Sequence, residues 1–231
     1  MSGTDLTRTA IVTGGTGGLG AAVVAELLDG GWRVVVPWVA ERELERVQSH
    51  ERLTLVQADL FDPQHAAAVA REAGDSTRAV VNLVGGFAAG RRLHETPVDE
   101  LDSQLRVNLR PAWLVSGAAL PAMLSAGEGS IVCVSSRTAL QPFSGGAAYA
   151  IAKRAVLGLV DALHVEYSGD GIRTNAILPS VIDTPANRAA MPGAEPGAWV
   201  TPQQIAATIA FLVSPAAAAT SGAHIPVYGR A

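Results

Sequence analysis

Short β-branched runs alternate with amphipathic helical stretches along nearly the whole chain, and few architectures accept that order. Thr9-Ala10-Ile11-Val12-Thr13 reads as a strand; Leu19, Val23, Val24, Leu27 and Leu28 then recur at helical spacing until Gly30-Gly31 stops them. A strand over 33–36, a charged helix over 41–47 and a strand over 53–57 follow. Pro63, suited to a first helical turn, opens a helix over 64–73, and the strand over 79–84 is apolar on both sides. Beyond it the pattern predicts a helix over 98–125 interrupted at Pro111, a strand over 130–134 and a helix over 147–167. A strand over 172–178, a helix over 202–213 and a last strand over 224–227 complete it. Parallel strands need crossover connections, usually helical. The prediction is therefore a single α/β domain over residues 1–231: a Rossmann-type doubly wound parallel sheet with helices on both faces.

Between the first strand and the first helix stands Thr13-Gly14-Gly15-Thr16-Gly17-Gly18-Leu19-Gly20. Gly14 suits a tight turn, Gly18 leaves room for a pyrophosphate against the backbone, and Gly20 permits close packing of helix on sheet. The helix N-terminus offers unpaired N–H groups and a partial positive charge to phosphates. Placed after the first strand of an alternating chain, the turn points to a dinucleotide rather than to mere flexibility.

An NAD-binding fold of this kind usually carries an acid at the end of the second strand, where it bonds the ribose 2′-OH. Here that position is Trp38. Lacking a carboxylate there, the sequence admits a 2′-phosphate, and the reading leans to NADP without excluding NAD. Of the nearby cations, neither Arg33 nor Arg42 is well placed. Trp38 stacks on adenine or packs under the helix; Asp59 accepts from the adenine amino group or serves as a turn or N-cap residue.

Composition removes other classes. Net charge is −4, and no basic run exceeds Arg91-Arg92, so the positive stripe that nucleic acid requires is missing. Residues 1–9 are polar and lack an apolar signal core, and no apolar stretch approaches the ~20 residues of a spanning helix. The lone Cys133 cannot form an internal disulfide and suits a reducing cytoplasm; inside a strand it reads as a small core residue. The five histidines show no metal-ligand spacing, and no metal is expected.

Tyr149 and Lys153 lie four apart on one helix face, with Ser136 closing the strand thirteen residues earlier. A free phenol titrates near ~10 and works poorly at neutral pH. A neighbouring ammonium favours tyrosinate and brings the phenol toward the range of efficient acid–base catalysis, while a serine hydroxyl can polarise a substrate oxygen.

Taken together, Thr13-Gly14-x-x-x-Gly18-x-Gly20, Asp59-Leu60, Asn82-Leu83-Val84-Gly85, Asn108, Ser136, Tyr149-x-x-x-Lys153 and Pro179-Ser180-Val181-Ile182-Asp183-Thr184 resemble the short-chain dehydrogenase/reductase family over nearly the whole length. The resemblance implies hydride transfer between NAD(P)(H) and a small carbonyl/alcohol pair, with Ser136, Tyr149, Lys153 and Asn108 as the catalytic set. Asn108 would help hold a water relaying protons to Lys153, and Lys153 would bond the nicotinamide ribose. The cofactor would lie along Gly14, Thr16, Gly17, Gly18, Leu19, Trp38, Asp59, Leu60, Asn82, Gly85 and Pro179, with Val181, Ile182 and Thr184 seating the carboxamide. Independently, Pro111 deprives the Val107 carbonyl of its helical partner, and a kink there would open a water site beside Asn108.

The sequence departs from the family's usual Asn-Asn-Ala-Gly at Leu83-Val84, from its Pro-Gly at Ser180, and from its acid at Trp38. Gly85-Gly86-Phe87-Ala88-Ala89-Gly90 and the segment 183–192 resemble the dihydropteridine reductase branch, which lacks a serine like Ser136; an enzyme of that kind is one alternative. A non-catalytic NAD(P)-sensing regulator is the other, and the intact Ser/Tyr/Lys set argues against it. Substrate is expected among loops 85–97, 136–146 and 180–201, against Phe87, Phe143 and Met191, with 187–201 as a mobile lid. Members commonly form homodimers or homotetramers through the two long helices.

Overall fold

The computed structural model describes residues 8–230, so the polar segment 1–7 weighed above lies outside it. Seven strands form one sheet in the order β3-β2-β1-β4-β5-β6-β7. They are β1 (Thr9–Thr13), β2 (Arg33–Trp38), β3 (Leu53–Gln57), β4 (Thr77–Asn82), β5 (Gly129–Val134), β6 (Ile172–Pro179) and β7 (His224–Val227). Every pairing is parallel. The connecting helices are α1 (Gly18–Asp29), α2 (Pro63–Ala73), α3 (Val98–Ala126), α4 (Ala147–Tyr167), α5 (Pro185–Ala190) and α6 (Pro202–Val213).

Strand side chains alternate between two cores. Ile11, Val35, Val80, Ile131, Cys133 and Leu178 face one layer, where α2, α3 and α4 contribute Val69, Val115, Met123, Val156 and Val160. Their neighbours Ala10, Val12, Val34, Val36, Val81, Val132 and Ile177 face the other, against Val23 and Leu27 of α1 and Ile205 and Ile209 of α6. Both faces of the central strands are therefore dry, which is why they read as unbroken apolar runs.

The chain leaves β1 toward β2 and β3, then returns to place β4 on the other side of β1. Such a reversal opens a crevice outside the carboxyl ends of the two central strands. Thr13 fixes that edge: its Oγ1 accepts from the N–H groups of Leu83 and Val84 at 3.1 and 3.5 Å.

Two expectations need correction, and one helix is additional. The segment predicted as a charged helix is a 3₁₀ helix, Glu41–Arg46, with no side-chain cap and no buried residue; without an apolar stripe nothing rewards a longer α-helix. The α3 helix runs unbroken over 29 residues through Pro111. Proline there removes one hydrogen bond, and burial of Pro111 and its neighbours Ala112 and Val115 keeps the helix in place. Finally, α5 was not anticipated, although Thr184 accepts from Asn187 N–H and Pro185 follows it, a recognisable helix start.

Candidate active site

The nucleotide half of the crevice is shaped by missing side chains. Gly14 has φ +67°, open to glycine at little cost. A Cβ on Gly20 would fall 2.0 Å from the Gly14 carbonyl oxygen, so α1 can approach the turn only without one. A Cβ on Gly18 would meet the Thr184 side chain at 3.3 Å, which brings the loop after β6 over the turn. No side chain caps α1, whose N-cap is Gly17. An uncapped helix end above a floor of glycines fits a pyrophosphate.

Other expected nucleotide contacts divide. Thr16 is buried, and Trp38 is half-buried at the end of β2. Leu19 and Leu60 pack into the cores on opposite faces. Asp59 is exposed, with Oδ1 accepting from Phe61 N–H at 3.0 Å, and the α2 N-cap is Asp62 instead. Asn82 turns inward: its Nδ2 donates to Ser116 Oγ at 3.0 Å and approaches Cys133 Sγ at 3.6 Å. Arg33 is committed at the far end of β2, donating to the Glu72 and Ala73 carbonyls and to Thr54.

The chemical half is built of buried polar side chains. Ser136 follows β5 and accepts from Thr138 N–H at 3.2 Å. Lys153, buried on α4, donates from Nζ to the Val134 carbonyl at 3.1 Å, while its own carbonyl accepts from Ser135 Oγ at 2.7 Å. Two hydrogen bonds thus lock α4 to the end of β5. Burial lowers the Lys153 ammonium to about 8, with Cys133 opposing, and pushes the Cys133 thiol up to about 11.

The Lys153 Nζ stands 5.9 Å from the Tyr149 ring centroid. Burial raises the Tyr149 phenol above its ordinary value, and the Ser136 hydroxyl pulls the other way. The direction corrects the expectation of a phenol already lowered by Lys153: among the protein's own groups, desolvation wins.

Asn108 is buried on α3, and its amide nitrogen is fully engaged. Nδ2 donates to the carbonyls of Gly86 and Gln104, both at 3.0 Å, and Oδ1 accepts from Gly86 N–H at 3.2 Å. The side chain therefore clamps the loop after β4, and Oδ1 keeps one lone pair beyond its bond to Gly86. A Cβ on Gly85 would lie 2.7 Å from Asn108 Oδ1 and 3.0 Å from Lys153 Nζ, so this glycine lets the loop pass close over both.

Two aromatic rings wall the mouth. Phe87 meets the Tyr149 ring edge-on, centroids 4.9 Å apart, and stacks with Phe143 at 6.4 Å. They stay 66% and 46% exposed. Gly90 N–H donates to the Gly145 carbonyl at 2.9 Å, joining their two loops. Met191 sits half-buried at the end of α5.

The segment expected to be a lid is tethered at its C-terminal end. Val200 N–H donates to the Val181 carbonyl and Asp183 N–H to the Val200 carbonyl, around an Ile182–Val200 bridge. Near the C-terminus, Arg230 N–H donates to the Ala198 carbonyl, and Ser180 Oγ to that of Tyr228. Pro179 ends β6 fully buried.

Sequence reasoning missed Glu43, whose Oε2 accepts from Thr16 Oγ1 at 2.9 Å, and the buried Gln104 that holds Asn108. The (i, i+4) spacing of Gln104 and Asn108 on a helix was a usable signal; the reach of Glu43 across 27 residues was not.

Among the described residues, no helix is long and apolar enough to cross a membrane. Residues 8–194 match the short chain dehydrogenase family. The chain is 34% identical to 2-(R)-hydroxypropyl-CoM dehydrogenase of Xanthobacter autotrophicus, over 97% of this chain and 98% of the relative. It is also 34% identical to cis-4-hydroxycyclohexanecarboxylate dehydrogenase of Sinomonas cyclohexanicum, over 96% and 95%. A solved short chain dehydrogenase/reductase family protein superposes with TM-score 0.89 at 28% identity, covering 98% of both chains. With the glycine turn, the Ser136–Tyr149–Lys153 cluster and these matches in agreement, the chain belongs to the short-chain dehydrogenase family.

Proposed function

We propose that the protein is an NAD(P)(H)-dependent oxidoreductase that interconverts a small carbonyl compound and its alcohol, with Tyr149 as proton donor or acceptor. The observation that carries this reading is Lys153. A buried ammonium whose only bonded partner among the described residues is a carbonyl costs the fold free energy, and such groups concentrate where chemistry needs a charge. Its position beneath Gly85 and beside the Tyr149 ring supports a charge held at the floor of the crevice.

Ser136 holds the substrate oxygen next to the phenol. Lys153 presents its ammonium to the phenol and to the floor of the site, and Asn108 fixes the loop that passes over them. The water relay expected at Asn108 is supported by the adjacent backbone: Pro111 leaves the Val107 carbonyl without its helical donor one residue away. When bound, the nicotinamide supplies or accepts the hydride and, oxidised, adds a positive charge that favours tyrosinate. Phe87 and Phe143 exclude water from the substrate side, with Met191 as a further wall. Both relatives are named as dehydrogenases of hydroxylated compounds, which supports the alcohol/carbonyl class.

The buried thiol of Cys133 suits a reducing compartment such as the cytoplasm, and the exposed Trp113 and Ile151 on α3 and α4 suit a homo-oligomer. The cofactor is NAD(P)(H): Trp38, at the end of β2, offers no carboxylate of its own to tell the two nucleotides apart. Tyr149→Phe tests the proposal: turnover of a ketone panel should fall by about a thousandfold while nucleotide affinity stays within twofold. Undiminished turnover would remove Tyr149 from the mechanism.

A further inference from the structure

We infer that Glu43 makes the protein select NAD(H) over NADP(H) by holding a carboxylate against the glycine turn at the adenosine end of the crevice. The inference rests on the reading of that crevice as a nicotinamide-nucleotide site.

The second strand ends at Trp38 without a charge, but the chain does not leave the site there. Val39 and Ala40 lead into the 3₁₀ helix Glu41–Arg46. With three residues per turn, Glu43 and Arg46 share one edge of that helix. That edge faces the glycine turn. Thr16 Oγ1 donates to Glu43 Oε2 at 2.9 Å, and Arg46 Nη1 donates to the Thr16 carbonyl at 3.5 Å. Thr16 is buried, so the carboxylate is anchored on a fixed group, in the same loop whose glycines leave room for the phosphates. An acid has thus arrived at the nucleotide end from five residues beyond the strand.

The second oxygen, Oε1, has only Arg46 at 4.0 Å, too far for a good hydrogen bond, so it keeps acceptor capacity. A ribose hydroxyl can donate to such an oxygen. A 2′-phosphate cannot, and its charge would face a like charge. Compensating cations are poorly placed. Arg33 is bound at the opposite end of β2, and Arg42 is off the edge shared by Glu43 and Arg46. Arg46 itself contacts the carboxylate and the turn only at long range.

The experiment is an equilibrium titration of NADH and of NADPH into the full-length protein, read by nicotinamide fluorescence or calorimetry rather than by turnover. Wild type should bind NADH about tenfold more tightly or better, as expected for one like-charge contact partly screened by solvent. Higher salt should narrow the gap. Glu43→Gln keeps an acceptor for Thr16 and removes only the charge. It should gain about tenfold in NADPH affinity, lose a few-fold for NADH, and bring the ratio near unity. Arg46→Ala should leave NADPH binding undiminished, with thermal melts reporting that each variant is folded.

NADPH binding as tight as NADH in wild type, or an unmoved ratio in Glu43→Gln, overturns the inference while leaving the nucleotide site intact. A large loss of NADPH binding in Arg46→Ala overturns it too, by making Arg46 the phosphate partner. Failure of both nucleotides to bind wild type removes the site reading and the inference together.

Discussion

The two halves of the crevice are made by opposite means. At the nucleotide end, space is produced by withholding side chains: Gly14 and Gly20 let backbone meet backbone, and Gly18 makes room for the Thr184 side chain. At the chemical end, function is produced by burying polar side chains: Ser136, Lys153 and Asn108 are each less than 9% exposed and tied to backbone by named hydrogen bonds. The first half costs the fold conformational entropy, the second desolvation. Changes at the nucleotide end should therefore act through sterics and selectivity. At the chemical end, removing the Lys153 charge should relieve the fold even as it removes activity.

The sharpest test of that contrast is Lys153→Met. The lowering from 10.5 to about 8 means the folded protein resists the ammonium, at a cost of ~3 kcal/mol that is present in full below pH 8 and fades between pH 8 and 10.5. Losing the Val134 hydrogen bond gives back roughly 1 kcal/mol. The variant should melt at or above the wild-type temperature at pH 7, yet turn over about a thousandfold more slowly. In wild type, carbonyl reduction should hold steady up to about pH 8 and decline above it as Lys153 loses its proton. A variant that is both inactive and clearly less stable would contradict the division between the halves.

At the nucleotide end the next largest effect comes from a single methyl group. Gly20→Ala places a carbon 2.0 Å from the Gly14 carbonyl oxygen, a backbone atom with nowhere to retreat. The cost should be ~3 kcal/mol in stability, with nucleotide affinity down by about a hundredfold. Gly17→Ala is the paired control: its new carbon would meet the same oxygen at 3.3 Å, which a small adjustment absorbs. Chemical denaturation should separate the two cleanly. Equal losses would mean that flexibility, not close approach, is what the glycines provide.

How much of this was legible follows the same divide. Strand and helix order came through because the sheet is buried on both faces and each strand is a short apolar run. The bounds of α4 and α6 match the periodicity residue for residue. Ser136, Tyr149 and Lys153 were legible because a helical spacing and a strand end are local. The direction of the Tyr149 shift was not, since it depends on how much water the surrounding loops remove. Asn108 was found, but its partners in the loop after β4 were not, because a clamp across 22 residues leaves no periodic trace. Glu43 was hidden for a related reason. It sits in a charged segment that reads as a solvated helix until tertiary structure folds it back onto Thr16.

The smallest effect is expected where the two halves give way to the substrate. Phe87 touches the Tyr149 ring edge-on at 4.9 Å and remains 66% exposed, so truncation costs the core little. Phe87→Ala should change stability by less than ~1 kcal/mol, as for other exposed positions. It removes one wall of the mouth and one aromatic contact worth roughly 1 kcal/mol. That loss falls on substrate binding before it falls on proton transfer. KM for an apolar ketone should rise about three- to tenfold while kcat falls less than threefold, and NADH affinity should not move. Phe87→Leu, which restores apolar bulk without the ring, should recover most of the KM. If kcat collapses instead and KM holds, then Phe87 sets the angle of the phenol, and the aromatic wall belongs to the chemical half.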